Sequence, residues 1–341
     1  MSLYLPEIAN RELSDVARHA RHMLEQVVPM GINCALIGSP EHGNVGDSAI
    51  WLGQRMFLQD RRATVRYSCS DATFDEAVLR RAMPSGIVYL QGGGNWGTLW
   101  PAAQAVREQV LEQLHDYVVV QLPQSIYYED AASLERTRAL VQAHPAFTLM
   151  VRDRASFDIG VNGLGAYTLL CPDSALLLEG TLHRHQPDVD CLILARTDKE
   201  RLTGGLSAVL GDTPQTVATV DWLEEPRTWT HAMVDVLARR ATGRWAGSRF
   251  FQAAMVALWD RIALERLDRG CRVLSRGHVV VTDRLHAHIL STMLGIPNVV
   301  LDNVYGKVGN FMDAWMQGNP LCRHADSVSD AAQIASEFLA A

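Results

Sequence analysis

Short apolar runs recur along the chain, each ended by a polar or glycine-bearing stretch and followed by a segment of helical length. In the first half they lie within “INCALIG” (32–38), “ATVRYSC” (63–69), “GIVYLQGGGNWG” (86–97), “YVVVQLPQSIYY” (117–128), “FTLMVRDRASFD” (147–158) and “AYTLLCPDSALLL” (166–178). Such runs suit strands covered on both faces, and their alternation with helices predicts βαβ units in a parallel sheet. Helical periodicity predicts an amphipathic helix over 11–28 and another from Ser48 to about Gln59. The turn-prone stretch “EGTLHRHQPDVD” (179–190) marks a crossover into a second set: “CLILAR” (191–196), “TVATVDW” (216–222), “HVVVT” (278–282) and “NVVLD” (298–302). A long helical stretch is expected from about Ser248, broken near Gly270 and stopped at Gly277. The pattern predicts an α/β chain of two Rossmann-like, doubly wound domains facing a cleft, residues 1–180 and 181–310. Residues 311–341 read as a helical segment that packs back on the first domain.

Composition sets bounds on this picture. A chain of 341 residues, 48% hydrophobic and 20% charged, can bury a core in each of two domains. Its net charge of −7 disfavours coating nucleic acid, and no nucleic-acid partner is expected. The six cysteines stand singly, without metal-clip or redox-motif spacing, which fits reduced, buried thiols. The opening “MSLYLPEIANRELSD” has neither signal-peptide nor anchor pattern, and no apolar run approaches the roughly 20 residues that span a bilayer. A cytoplasmic protein is expected, with membrane contact limited to the periphery of the inner face.

In open parallel sheets, ligands sit beyond the carboxyl ends of the strands. The stretches found there are His42-Gly43-Asn44-Val45-Gly46-Asp47, Gly92-Gly93-Gly94-Asn95-Trp96, Gln121-Leu122-Pro123-Gln124-Ser125 and Arg152-Asp153-Arg154. Pro172-Asp173-Ser174, Arg196-Thr197-Asp198-Lys199 and Asp283-Arg284-Leu285-His286 complete the set. Glycine loops and arginines recur at this edge, a combination suited to an anion held by backbone N–H groups and guanidinium forks.

An ordinary structural reading stands beside each functional one. “GNVGD” fits a tight turn with Asp47 or Ser48 capping the next helix, or a backbone approaching a ligand. Gly92, Gly93 and Gly94 lack both dinucleotide and P-loop spacing, which removes those two readings. Asp153 suits a salt bridge to Arg152 or Arg154, or a functional role. His288 shares a helical face with Leu285 and Thr292 and reads as a core histidine. With Thr282 or Asp283 as cap, His286 falls in the first helical turn, where the dipole opposes a charged imidazole. An anion on Arg284 would hold the proton on His286. The alternative is that these side chains satisfy one another as a structural knot.

“GNVGDSAI”, “GGGNWG”, “VVVQLPQSI”, “VRDRASFD”, “CPDSALLL”, “ARTDKE” and “TDRLHAHILSTMLGIPNVVLDNVYGK” occur in this order between residues 43 and 307. Together they resemble the polysaccharide pyruvyl transferase family. The resemblance implies a fold like the two-domain GT-B glycosyltransferases. It also implies transfer of pyruvate from phosphoenolpyruvate onto two hydroxyls of a sugar in an exopolysaccharide or cell-wall glycan, as a ketal. Arg284 of Arg284-Leu285-His286 is then implied in donor binding and His286 as general acid, with Arg152 and Lys307 as further donor contacts. A donor bearing carboxylate and phosphate also suits Arg196, Leu285 and the loop residues Asn44, Gly46, Asp47, Gly93, Gly94 and Asn95. No metal or other cofactor is expected. Where the family often reads Gln-Ser-Ile-Gly, this chain has Tyr127 after Ile126, which leaves that pocket edge and the acceptor open.

The stretch “RRATGRWAGSRFFQAAMVALWDRIALERL” (239–267) combines Arg, Trp and Phe with an apolar helical face. It reads as a packing helix, or as an interfacial helix at a membrane that presents a lipid-linked saccharide. Two rival functions stand beside pyruvyl transfer: a nucleotide-sugar-dependent glycosyltransferase on the same scaffold, and a non-catalytic carbohydrate- or anion-binding relative.

Overall fold

A computed structural model describes residues 4–196, 216–223, 225–239, 245–302 and 306–340. The first half contains β1 (Asn33–Ile37), β2 (Thr64–Cys69), β3 (Ile87–Leu90), β4 (Gly93–Gly97), β5 (Val118–Tyr127), β6 (Phe147–Val151) and β7 (Thr168–Leu170). The second contains β8 (Val189–Leu194), β9 (Val217–Val220), β10 (Gly277–Thr282), β11 (Asn298–Leu301) and β12 (Cys322–Ala325). The accompanying helices are α1 (Tyr4–Glu25), α2 (Val45–Asp60), α3 (Glu76–Ala82), α4 (Pro101–Gln113), α5 (Ala131–Ala143) and α6 (Arg154–Asp158). They continue with α7 (Trp229–Ala238), α8 (Arg249–Ser275), α9 (Leu285–Met293), α10 (Lys307–Trp315) and α11 (Val328–Ala340).

The first sheet runs β2-β1-β3-β5-β6-β7, with β4 beside the end of β5, and the second runs β9-β8-β10-β11-β12. Every pairing is parallel. Both sheets therefore follow one winding rule. The chain steps outward once, returns past its first strand and continues to the other edge. The reversal opens a crevice between β1 and β3 in one sheet and between β8 and β10 in the other, where such sheets hold ligands.

The strands are apolar at consecutive positions because helices cover both faces: Cys34, Ala35, Leu36 and Ile37 of β1 are all buried. One core layer lies under α3, α4 and α5, and α11 covers a face of the second sheet. The largest layer crosses between the lobes, running from Leu36, Ile50 and Trp51 through Met255, Trp259 and Ile262 to Leu192, Leu285 and Phe311. Helix α8 makes that continuity. Gln252 accepts from the Ser68 backbone N–H of edge strand β2 at 2.9 Å. Asp260 accepts from Trp51 Nε1 at 2.8 Å and pairs with Arg55.

Three expectations change. Gly270 does not break α8: a side chain there would place its Cβ 2.3 Å from Val45 Cγ1, so the glycine permits close helix packing. The segment after residue 310 does not fold back as a helical cap, since “CRHA” (322–325) pairs with β11 and α11 packs on the second sheet. Cys322 and Ala325 are buried while Arg323 and His324 between them are exposed, so this edge strand lacks the apolar run that marks the others. Trp315 reaches back, donating from Nε1 to the Arg152 carbonyl at 2.8 Å. Finally, α2 begins earlier than expected, with Asn44 as its cap.

His288 on α9 is fully buried and places Nδ1 2.7 Å from Asn298 Oδ1. Burial lowers its pKa to about 4, against the opposing effect of the Asn298 hydrogen bond. Above pH 6.5 neither folded nor unfolded chain holds this proton. As pH falls from 6.5 toward 4, the unfolded chain takes it first and stability declines, by about 3 kcal/mol at pH 4. Urea unfolding at pH 7 and pH 4 should show a larger acid loss in the wild type than in His288→Gln. Equal losses would contradict this account.

Candidate active site

The carboxyl ends of both sheets face a cleft of about 530 Å³, a volume within the range of small-molecule sites. From the first lobe come the β1 loop, Asp71 after β2, Gly94 and Asn95 after β3, and Arg152 after β6. From the second come Arg196 after β8, Trp222 and Leu223 after β9, Arg284, Leu285 and His286 after β10, and Lys307 after β11. Asn44 and Asp47 line it too, whereas Gly46 and Gly93 are not among its lining residues. Thr197, Asp198 and Lys199 lie outside the described residues. Tyr127 does not line the cleft; its carbonyl packs against Gly97 and accepts from Thr98 N at 3.1 Å.

The β1 loop is shaped by Asn44. Its Oδ1 accepts from Gly46 N at 3.1 Å, and its Nδ2 donates to Asp47 Oδ2 at 2.9 Å. Capping by Asn44, rather than by Asp47 or Ser48, leaves Asp47 at the cleft. The first turn of α2 then abuts the imidazole of His286: a Cβ on Gly46 would lie 2.3 Å from His286 Nδ1. Glycine is required there by space.

The β4 loop is held from below. Arg107 Nη2 and Gln124 Nε2 donate to Asn95 Oδ1 at 2.6 and 2.8 Å, and Gln124 Oε1 accepts from Asn95 N. Burial lowers the Arg107 pKa to about 10. Above this loop two cations converge. A Cβ on Gly94 would lie 2.8 Å from Arg152 Nη2 and 3.5 Å from Lys307 Nζ, and Lys307 Nζ donates to Gly94 O at 3.0 Å.

Arg152 is 2% exposed and held on several sides. Nε donates to Ser125 Oγ at 2.9 Å, and Ser125 Oγ donates to Asp153 Oδ2 at 2.5 Å. Asp153 is thus neither a salt-bridge partner of Arg152 nor of Arg154. It caps α6 through Ser156 N. Arg152 Nη1 pairs instead with Asp173 Oδ2 at 2.5 Å. His286 Nε2 lies 3.4 Å from the same Asp173 oxygen and 3.4 Å from Arg152 Nη1. Burial alone would raise the Asp173 carboxyl, but His286 and Arg152, aided by hydrogen bonds, hold it well below the usual carboxylate range.

Arg284 is the cap residue of α9, in place of Thr282 or Asp283, and His286 does fall in the first turn. Thr282 Oγ1 accepts from Arg284 N, while Asp283 Oδ1 accepts from Arg196 N at 3.0 Å. The Arg284 Nη2 donates to both Asp221 oxygens, at 2.7 and 3.0 Å. Arg284 and His286 therefore do not satisfy one another: each pairs with a carboxylate from another strand end, Asp221 or Asp173, and both line the cleft.

Asp173 and Asp221 are the partners that sequence reasoning left unassigned. Asp173 stands at a strand end but reads locally as a helix cap, and nothing local pairs it with His286. Asp221 follows β9 directly, so the strand-end rule reaches it. Asp71 and Trp100 also line the cleft without a local motif. Burial pushes the Asp71 carboxyl up, against the lowering influence of Arg107 and His42.

Two doubly wound lobes place clustered cations and a carboxylate-held histidine on one cleft, an arrangement with the positive charge to hold an anion. The profile of the family described as Polysaccharide pyruvyl transferase matches residues 44–216 and 250–303. The chain belongs to that family, whose reaction is pyruvyl transfer. It is 32% identical over 305 residues to Pyruvyl transferase 1 of Schizosaccharomyces pombe, covering 83% of this chain and 70% of that protein. It is 30% identical over 304 residues to the Putative pyruvyl transferase EpsO of Bacillus subtilis, covering 88% and 90%. A crystal structure of an uncharacterized Klebsiella pneumoniae protein shares the fold, with a TM-score of 0.54 and 16% identity over 89% of this chain and 96% of that one.

A methyl group at residue 46 has no room beside the His286 ring. Gly46→Ala should cut pyruvyl-transfer turnover by about 10²-fold through misplacement of that ring, with the far-UV circular dichroism spectrum retained. Wild-type turnover in this variant would contradict the placement.

Proposed function

We propose that this protein transfers pyruvate from phosphoenolpyruvate onto two hydroxyls of a sugar in an exopolysaccharide or its lipid-linked precursor, closing a ketal and releasing phosphate. The observation that carries this reading is the convergence of Arg152 Nη2 and Lys307 Nζ over Gly94, within the cleft that His286 also lines. Phosphoenolpyruvate bears two anionic groups on one carbon, a carboxylate and a phosphate ester. Arg152, Lys307, Arg284 and Arg196 would divide its phosphate and carboxylate among them, assisted by the loop at Gly93 and Gly94, while Gly46 leaves room for the His286 ring and Asn95 holds the loop in place. Asn44 and Asp47 fix the N-terminus of α2, and Leu285 shapes the apolar edge.

In the chemical step, His286 gives a proton to the donor's methylene carbon, which becomes a methyl group. The adjacent carbon becomes oxocarbenium-like, and one sugar hydroxyl attacks it. The carbon–oxygen bond to phosphate then breaks, phosphate leaves with its electron pair, and the second hydroxyl closes the ring. Of the two hydroxyl protons, one restores His286 and the other departs with phosphate. Asp173 stabilises the protonated ring of His286, and the guanidinium groups stabilise charge on the leaving phosphate. The acceptor sugar would lie toward Trp100 and Asp71, which suit ring stacking and hydroxyl binding.

Incubation with phosphoenolpyruvate and a saccharide acceptor should release inorganic phosphate and add the mass of pyruvate less water to the sugar. Nucleotide release from a nucleotide sugar, with no phosphate from phosphoenolpyruvate, would instead establish a glycosyltransferase. His286→Gln should keep donor binding and lose at least 10²-fold in turnover, the lower range for a positioned acid. A variant retaining more than about a tenth of the wild-type rate removes His286 from that role. Arg284→Lys should raise the donor KM sharply, because an ammonium cannot reproduce a planar fork, and an unchanged KM would assign Arg284 to structure alone.

A further inference from the structure

Among the described residues, ten large hydrophobic side chains are exposed, and six of them lie between residues 229 and 264: Trp229, Met233, Val236, Trp245, Phe250 and Leu264. That concentration is not scatter, because the segment forms one structural unit. Helices α7 and α8 pack against each other, and Thr228 and Thr230 at the start of α7 both donate to Glu265, far along α8, at 3.1 and 3.2 Å. The two helices therefore form an antiparallel hairpin. Trp229, Met233 and Val236 follow one another at helical spacing and share a face of α7. The exposed face of α8 between residues 249 and 264 carries Arg249, Phe250, three alanines, Arg261 and Leu264, with no acidic residue. Trp245 and Phe250 are 78% and 88% exposed, which is unusual for side chains of that size.

The charge around this surface has the opposite sign to the rest of the chain. Among described residues 226–264, the exposed charged residues are Arg227, Arg239, Arg249 and Arg261 against Asp235 alone; Asp235 pairs with Arg227 and Glu265 with Arg261, which leaves Arg239 and Arg249 as the surplus positive charge. The whole chain carries −7. We infer that the α7–α8 hairpin is a docking surface for an anionic bilayer, with the aromatic side chains inserted at headgroup depth and the arginines facing lipid phosphates.

The same helix also builds the cleft. Arg266 Nη1 donates to Pro40 O at 2.8 Å while its other nitrogens pair with Glu225, and Arg269 Nη2 donates to Gly43 O at 2.8 Å and Trp222 O at 2.9 Å. The loops after β1 and β9, one from each lobe, are therefore both anchored to α8. A bilayer against the exposed face of α8 would fix the cleft mouth relative to the lipid surface. That consequence rests on the pyruvyl-transfer reading, because it supplies the lipid-linked sugar; the docking itself does not.

Co-sedimentation with phosphatidylglycerol–phosphatidylcholine vesicles and with pure phosphatidylcholine vesicles tests the inference. Wild-type protein should pellet with the anionic vesicles and remain in solution with the neutral ones, and added salt should weaken the binding. The doubly substituted Trp245→Ser, Phe250→Ser chain should bind at least tenfold more weakly while its turnover on a water-soluble acceptor stays at the wild-type level. Absence of wild-type binding to anionic vesicles overturns the proposal, as does equal binding by the double variant. Sedimentation velocity supplies a separate arm: a wild-type dimer that the two substitutions dissociate would assign the surface to a second copy of this chain instead. Turnover on the soluble acceptor reports on the pyruvyl-transfer reading alone, so failure of either idea is seen separately.

Discussion

Asp173, Arg152 and His286 form a charged cluster that is almost closed to water and is assembled from both lobes. Asp173 is fully buried, Arg152 nearly so, and His286 enters from the first turn of α9. Removing ions from water costs several kcal/mol each unless their partners are placed well. The cluster is therefore stable only when the two sheets meet in one arrangement. The same requirement sets the imidazole against Gly46 and the guanidinium over Gly94, so a condition of folding also positions the reactive groups.

Much of this was legible in the chain. Strands buried on both faces leave uninterrupted apolar runs, and “INCALIG”, “YVVVQL” and “HVVVT” each became one. Parallel sheets place their loops in a predictable position, so Arg152, Arg284, His286 and Lys307 emerged as candidates from strand ends and from the family resemblance. His288 resolved as a core histidine because its helical spacing pointed inward. The partners were less visible. Asp173 and His286 are brought together by the docking of two lobes, and no local pattern encodes such a meeting. Asp153 shows the converse, since adjacency to two arginines suggested an ion pair where the backbone used the carboxylate as a cap.

Long helices that join lobes are also poorly encoded in local sequence. Gly270 reads as a breaker because glycine lowers helix stability by roughly 1 kcal/mol relative to alanine. In the folded chain that loss is offset by contact with Val45, which no larger side chain would permit. Helix α8 covers the edge strand β2, packs along α2 and holds loops from both sides of the cleft. Because the apolar core runs through it from one lobe to the other, the base of the cleft is a packed interior. Among the described residues, no helix is long and apolar enough to cross a membrane.

A crystal structure with phosphoenolpyruvate, or a non-reactive analogue, bound to the protein tests the central claim most directly. The account predicts one anionic group of the donor within hydrogen-bonding distance of Arg152 Nη2 and Lys307 Nζ, and the methylene carbon turned toward the His286 ring. A donor lodged elsewhere, with the cleft between Gly94 and His286 empty at saturating concentration, would contradict it.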